Sequence, residues 1–305
     1  MNPHTSRAPG SAGPGSITTA PPAALGGAEL SFPRALRAEW LKLTSLRLNW
    51  WLSLVALSMM LLTLLGTVLS SRAQLSDAAL QNSAAQNSTL QNSAAPLDGF
   101  TLFENVFSSF TLVTLLMGAL AAVAITSEHS TGSIRSSLAA VPDRSMFFTA
   151  KLLAVCGFIA GLTAVLVALS FLVLLPLAGF YDVMPELLDP ALWWLVFSSW
   201  AAVIITASLG FGLGALLRST AGAVITYCLL LFSGPIVLGL LLGISDGAQW
   251  VIELMRFEIF ALQRQFIGGA SMAGDLPPAL AGALLLVWAG VVLIPGWLLL
   301  TRRDA

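Results

Sequence analysis

The chain has 305 residues, 57% of them apolar and 10% charged, with a mean hydropathy of +0.86. Soluble domains carry about a quarter charged residues, so a water-soluble core is excluded as the basis of this fold. The formal net charge of −1 conceals an uneven placement of the basic residues along the chain.

Residues 1–30 are rich in Ala, Gly, Pro, Ser and Thr. They bury too little apolar surface to order themselves and are expected to form a disordered cytoplasmic leader. The first apolar run starts only at 48 with no short apolar core before it, which does not fit a signal peptide. The stretch FPRALRAEWLKLTSL (32–46) differs. At helical spacing Phe32, Leu36, Trp40 and Leu43 share one face, with Arg34, Arg37 and Lys42 on or near the other. This predicts an amphipathic elbow helix lying in the membrane interface. The competing reading extends the first span backwards, against which stand the charges at 34, 37, 39 and 42.

Six intervals contain no Asp, Glu, Lys or Arg: 48–71, 105–127, 152–181, 191–217, 219–245 and 276–301. About 20 helical residues cross a hydrocarbon core of about 30 Å, so each interval has room for one span. Lipid cannot satisfy open strand edges, and the runs are continuous where barrel strands would alternate. The expected fold is therefore an all-α integral membrane protein, a six-helix bundle over 31–305.

With six spans, one side of the membrane holds Arg7, Arg34, Arg37, Lys42, Arg47, Arg135, Arg144, Lys151, Arg218, Arg302 and Arg303. The other holds only Arg72, Arg256 and Arg264. The basic side is expected to face the cytoplasm, which places both termini there, in the cell membrane. After the first span comes a polar stretch with QNS at 81, 86 and 91, expected to be a flexible outer loop over 72–103. Pro176, Gly234-Pro235 and Pro295-Gly296 interrupt spans three, five and six as kinks or packing bends.

Span four ends LGFGLGALLRS. Its glycines formally match a dinucleotide fingerprint, but that site needs a strand and a soluble βαβ unit. The Gly210/Gly214 pair instead predicts close helix packing. On the outer side, WVIELMRFEIFALQRQF (250–266) reads as an interfacial or re-entrant helix, or as an exposed loop helix. Glu253 and Arg256 are spaced to pair on its surface.

Cys156 and Cys228 lie in apolar runs without CxxC spacing and read as buried small hydrophobes. His4 and His129 are too few and too far apart for a zinc site. No charged residue falls inside the six intervals, which argues against ion-coupled transport, and Glu104 is expected to stay wet at an outer end. Walker-type, HExxH and GxSxG motifs are missing from the sequence. No cofactor, enzymatic activity or nucleic-acid partner is expected.

The segment TSEHSTGSIRSSLAAVPDR (126–144) stands between spans two and three on the basic side. Ile134, Leu138 and Val141 form one apolar stripe, with Gly132 permitting a sharp turn before it and Pro142 ending it. Arg135, Asp143 and Arg144 border the stripe. The pattern fits a docking element for a cytosolic partner and equally a surface helix on lipid headgroups.

This segment, with the AK at 150–151, resembles the T-S-E-aromatic-x-x-G-T-I-R-x-x-L-A-x-x-P pattern of ATP-binding-cassette permease subunits of the ABC-2 type, in particular those of the actinobacterial kind. Ser127, Glu128, Gly132, Ile134, Arg135, Leu138, Pro142 and Arg144 match. His129 stands where Tyr is usual and Ser133 where Thr is. The resemblance extends to LRAEWLKLTSLRLNW before span one and LLRS after span four. It implies half of an exporter, paired with a second permease subunit in a homo- or heterodimer and with two copies of a cytosolic ATPase. Segment 128–144 would be the coupling element, with Glu128, Gly132 and Arg135 serving transmission. The alternative function is a membrane scaffold or sensor that docks a cytosolic protein and transports nothing.

Overall fold

A computed structural model describes residues 31–84, 99–130, 132, 143–180, 182–268 and 275–302. Every regular element among them is a helix. Pro33 in the first turn of α1 (Phe32–Ser45) supplies a φ already suited to a helix and lacks an N–H that would be orphaned there. The helix ends where Leu46 turns extended. Two side chains of the next helix then close its last turn: Asn49 Nδ2 donates to Leu43 O at 2.8 Å and Trp50 Nε1 to Thr44 O at 2.8 Å. Carbonyls left over at a helix end need such partners, and here they fix the joint between α1 and α2 (Arg47–Ala84).

The six expected spans are all present as helices long and apolar enough to cross a membrane. After α2 come α3 (Gly99–Ser108) and α4 (Phe110–Ser130), which together make the second span. They are followed by α5 (Arg144–Phe180), α6 (Pro190–Leu217), α7 (Thr220–Ile244) and, last, α10 (Pro278–Arg302). Between α7 and α10 lie two short helices, α8 (Gln249–Met255) and α9 (Ile259–Ile267). This is the architecture of a multi-pass helical membrane protein. Leu62, Ile236 and Leu240 stand on broad exposed apolar faces of α2 and α7, where a bilayer takes the place of water.

Two expectations about this part of the chain need correction. The polar stretch after span one was expected to be loop over 72–103, yet α2 continues to Ala84 and α3 starts at Gly99. Ala, Leu and Gln are good helix formers whatever their polarity, so the helix outruns its apolar part; residues 85–98 lie outside the described ones. The segment 250–266 was expected to be one helix. It is broken at 256–258, and Glu258 caps the start of α9 by accepting from Phe260 N at 3.1 Å. The exposed-loop alternative fails for α9, whose Leu262, Gln263 and Phe266 are buried. The expected Glu253–Arg256 pair forms at 2.8 Å.

Three of the spans begin on recognisable caps. Asp143 accepts from Ser145 N and Met146 N at the start of α5, Asp189 from Ala191 N before α6, and Ser219 from Gly222 N before α7. The prolines 176, 235 and 295 all sit inside continuous helices. The second span is interrupted instead at Ser109, where Ser108 and Ser109 both turn their hydroxyls back onto Asn105 O at 3.1 and 2.8 Å. Hydroxyls that bond back to the preceding turn bend helices.

At the centre, α6 crosses α4 so closely that Gly210 rests on the Gly118 carbonyl. A side chain at Gly214 would meet Ala122 O at 2.8 Å, and one at Gly212 would meet the Leu293 backbone nitrogen of α10 at 3.0 Å. Small residues let membrane helices approach backbone to backbone, as the Gly210/Gly214 spacing predicted. Tyr227 of α7, fully buried, lies over Gly118 and donates to Thr114 O at 2.9 Å. Gln263 of α9 reaches the same turn, its Nε2 donating to Thr114 Oγ1 at 2.7 Å. Cys156 and Cys228 are free thiols, each partly buried.

Candidate functional site

Four charges from three helices meet where α4 ends and α5 begins. Lys151 Nζ donates to Glu39 Oε2 and to Glu128 Oε1, both at 2.7 Å. Lys42 Nζ donates to Glu39 Oε1 at 2.7 Å and to Glu128 Oε1 at 3.1 Å. The side chains of Lys151, Glu39 and Glu128 are 4%, 7% and 9% exposed, while Lys42 is 46% exposed. Two acids and two lysines make a neutral set, the form in which buried charges are tolerated. Lys151 Nζ also stands 5.7 Å from the centre of the Phe147 ring.

Each member is delivered by local structure. Glu39 lies on the face of α1 that packs against α5, between Ala35 and Leu43 at helical spacing of four. Glu128 is in the last turn of α4, and Lys151 is two turns into α5. The cluster thus ties the N-terminal helix to both helices that flank segment 131–142. Trp40 adds an edge-on contact with Phe158 of α5, ring centres 6.4 Å apart.

The face of α1 is not the one expected from hydrophobic periodicity. Leu43 is buried and Leu36 partly so, but Phe32 and Trp40 are 36% and 40% exposed. The buried stripe runs through Ala35, Glu39 and Leu43. A paired carboxylate occupies a position that periodicity assigns to the polar side, and it turns the helix accordingly.

Burial by itself would raise the Glu39 carboxyl. The Lys151 charge and the hydrogen bonds from Lys151 and Lys42 outweigh it and hold the group below its ordinary value of 4.5. Burial would likewise lower Lys42, but its hydrogen bond to Glu39 and the Glu128 charge win and hold it above 10.5. The signs give a pH window. The contribution of Glu39 is complete above 4.5 and is lost as pH falls through its lower folded value; that of Lys42 is complete below 10.5 and is lost as pH rises through its higher one. The alkaline limb is the shallower, because solvent screens the half-exposed Lys42. Thermal unfolding of the wild type is expected to fall off below pH 4.5 more steeply than that of Glu39→Gln. Parallel profiles for the two proteins would contradict the assignment.

Of the coupling residues that the resemblance assigns in the 128–144 segment, Glu128, Gly132 and Arg144 are described. Glu128 is in the cluster. Gly132 has a φ of 70°, as expected for the sharp turn after α4. Arg144 opens α5, and its Nη1 donates to Leu300 O of α10 at 3.4 Å. Arg218, after α6, donates through Nη2 to Leu299 O at 3.4 Å, so two guanidiniums serve the last turn of α10. Ile134, Arg135, Leu138, Val141 and Pro142 lie outside the described residues. His129 keeps Nδ1 3.2 Å from Ile125 O, and its buried Nε2 meets no partner among the described residues. Thr126 accepts from Thr220 at 2.9 Å, joining α4 to α7. Glu104 is half buried and not fully wet.

Glu39 and Lys151 are the functional candidates that sequence reasoning missed as a pair. The signals were an acid framed by Ala35 and Leu43, and a lysine one residue before a long uncharged run. No protein-family model matches the chain, and no curated protein matches it at a significant level.

Proposed function

We propose that this chain is the permease subunit of an ATP-driven exporter of the ABC-2 type, working with a separately encoded ATPase in the cell membrane. The observation that carries the reading is the junction of α4 and α5: the motif residue Glu128 stands in the buried charge cluster where the TSE…P segment leaves the membrane bundle. A coupling element must be joined firmly to the helices it moves, and Glu128, Lys151 and Glu39 join both flanking helices and α1. Both termini would lie in the cytoplasm, with α1 as the interfacial elbow and two ATPase copies seated on the 128–144 segments of a permease dimer. Nucleotide-driven closure of the ATPases would then rock the bundle between two states.

Co-expression with a Walker-motif ATPase encoded beside this chain is expected to yield a stable complex. Arg135→Glu or Leu138→Asp should abolish co-purification, and unchanged association in both variants would overturn the proposal. Flux in reconstituted vesicles decides the rest: transport that ignores ATP would favour a scaffold that docks a partner and moves nothing.

A further inference from the structure

At the end of the bundle opposite the charge cluster, α7, α8 and α9 line a half-open cavity of about 420 Å³, a size typical of small-ligand sites. Leu242, Met255 and Phe260 are among its apolar walls. Four ionisable side chains also line it, and three of them are engaged. Arg256 is bound to Glu253 at 2.8 Å, Glu258 caps α9, and Asp275 has an interaction of its own. Arg264 has only the electrostatic attraction of Glu258. Its side chain donates no hydrogen bond among the described residues, and its Nε is buried without an acceptor.

A buried N–H left without an acceptor is unfavourable. Arg264 as a whole is only partly buried and lines the cavity, where the planar fork of arginine suits a carboxylate or phosphate in two-point contact. Apolar walls beside such a fork suit a ligand with a greasy body. We propose that the cavity binds an anionic amphiphile, with a carboxylate or phosphate head on Arg264 and an apolar chain along Leu242, Met255 and Phe260.

Glu258 has contacts of its own in the cavity wall. Its side chain lies against Gly234, where a Cβ would collide with it. Burial pushes its carboxyl above the ordinary value, against the lesser pull of its backbone hydrogen bonds and of Arg264. The site does not depend on the reading of the chain as a permease.

The test uses the full chain in phosphatidylcholine nanodiscs, with laurate, dodecyl phosphate and neutral dodecanol as probes. Laurate and dodecyl phosphate are expected to bind at least about tenfold more tightly than dodecanol. Arg264→Gln should weaken both by about tenfold or more, and Met255→Trp, which fills the cavity and leaves the guanidinium in place, should block both. Circular dichroism and gel filtration matching the wild type would show that the variants fold. Native mass spectrometry from phosphatidylglycerol nanodiscs forms the second arm: a retained anionic lipid that Arg264→Gln releases identifies the bilayer as the source of the head group. Dodecanol binding as tightly as laurate, or binding unmoved in both variants, overturns the proposal, as does the failure of every anionic probe and lipid to bind.

Discussion

Lys151→Met is expected to destabilise the folded chain by about 3–5 kcal/mol, the usual loss when one member of a buried ion pair is removed. Lys151 is the only member of the cluster whose ammonium bonds both carboxylates at 2.7 Å. Without it, Glu39 and Glu128 share the half-exposed Lys42 alone, and two nearly buried negative charges face each other. The loss should appear as lowered thermal stability in detergent and as early release of α1, read by proteolysis near its start. A double-mutant cycle isolates the pair: Glu39→Gln, Lys151→Gln and the double variant should be strongly non-additive, because neutralising the second partner removes the stranded charge. Additive losses, or a Lys151→Met protein as stable as the wild type, would show that the cluster does not hold α1 in place.

The second large effect belongs to the crossing of α4 and α6. Gly210→Val is expected to cost about 3 kcal/mol, at the upper end for overpacking, because the new Cβ would occupy the place of the Gly118 carbonyl. That obstacle is backbone and cannot rotate aside. Gly161→Ala provides the control within the same bundle: nothing stands within 4 Å of the added methyl, so the gain in helix propensity should leave stability unchanged or slightly raised. Equal behaviour of the two variants in a thermal-shift series would mean that α4 and α6 are not in backbone contact.

The spans were legible because each needs only a long uncharged run, a local property of the chain. The Gly210/Gly214 crossing was legible for a similar reason, since spacing of four puts both residues on one side of a helix. Glu253 and Arg256 likewise lie within one turn. The charge cluster was not, because Glu39 and Lys151 are 112 positions apart and periodicity counts every acid as belonging to the polar side. That same counting rule misplaced the buried face of α1. The break at Ser109 left no clear mark either, as serine pairs are common in unbroken helices. In residues 72–84 polarity suggested loop, while the Ala- and Leu-rich composition favoured the helix that forms.

The glycine contact between α4 and α6 has a mechanical consequence. Where Gly210 meets Gly118 no side chain is interposed, so at this crossing the two helices have no compressible layer between them and should travel together as a single plate. Large-scale rearrangement of the bundle would then concentrate at the interrupted turn around Ser109, where the second span already lacks a continuous backbone ladder. Stiffening that turn should slow the molecule without loosening it.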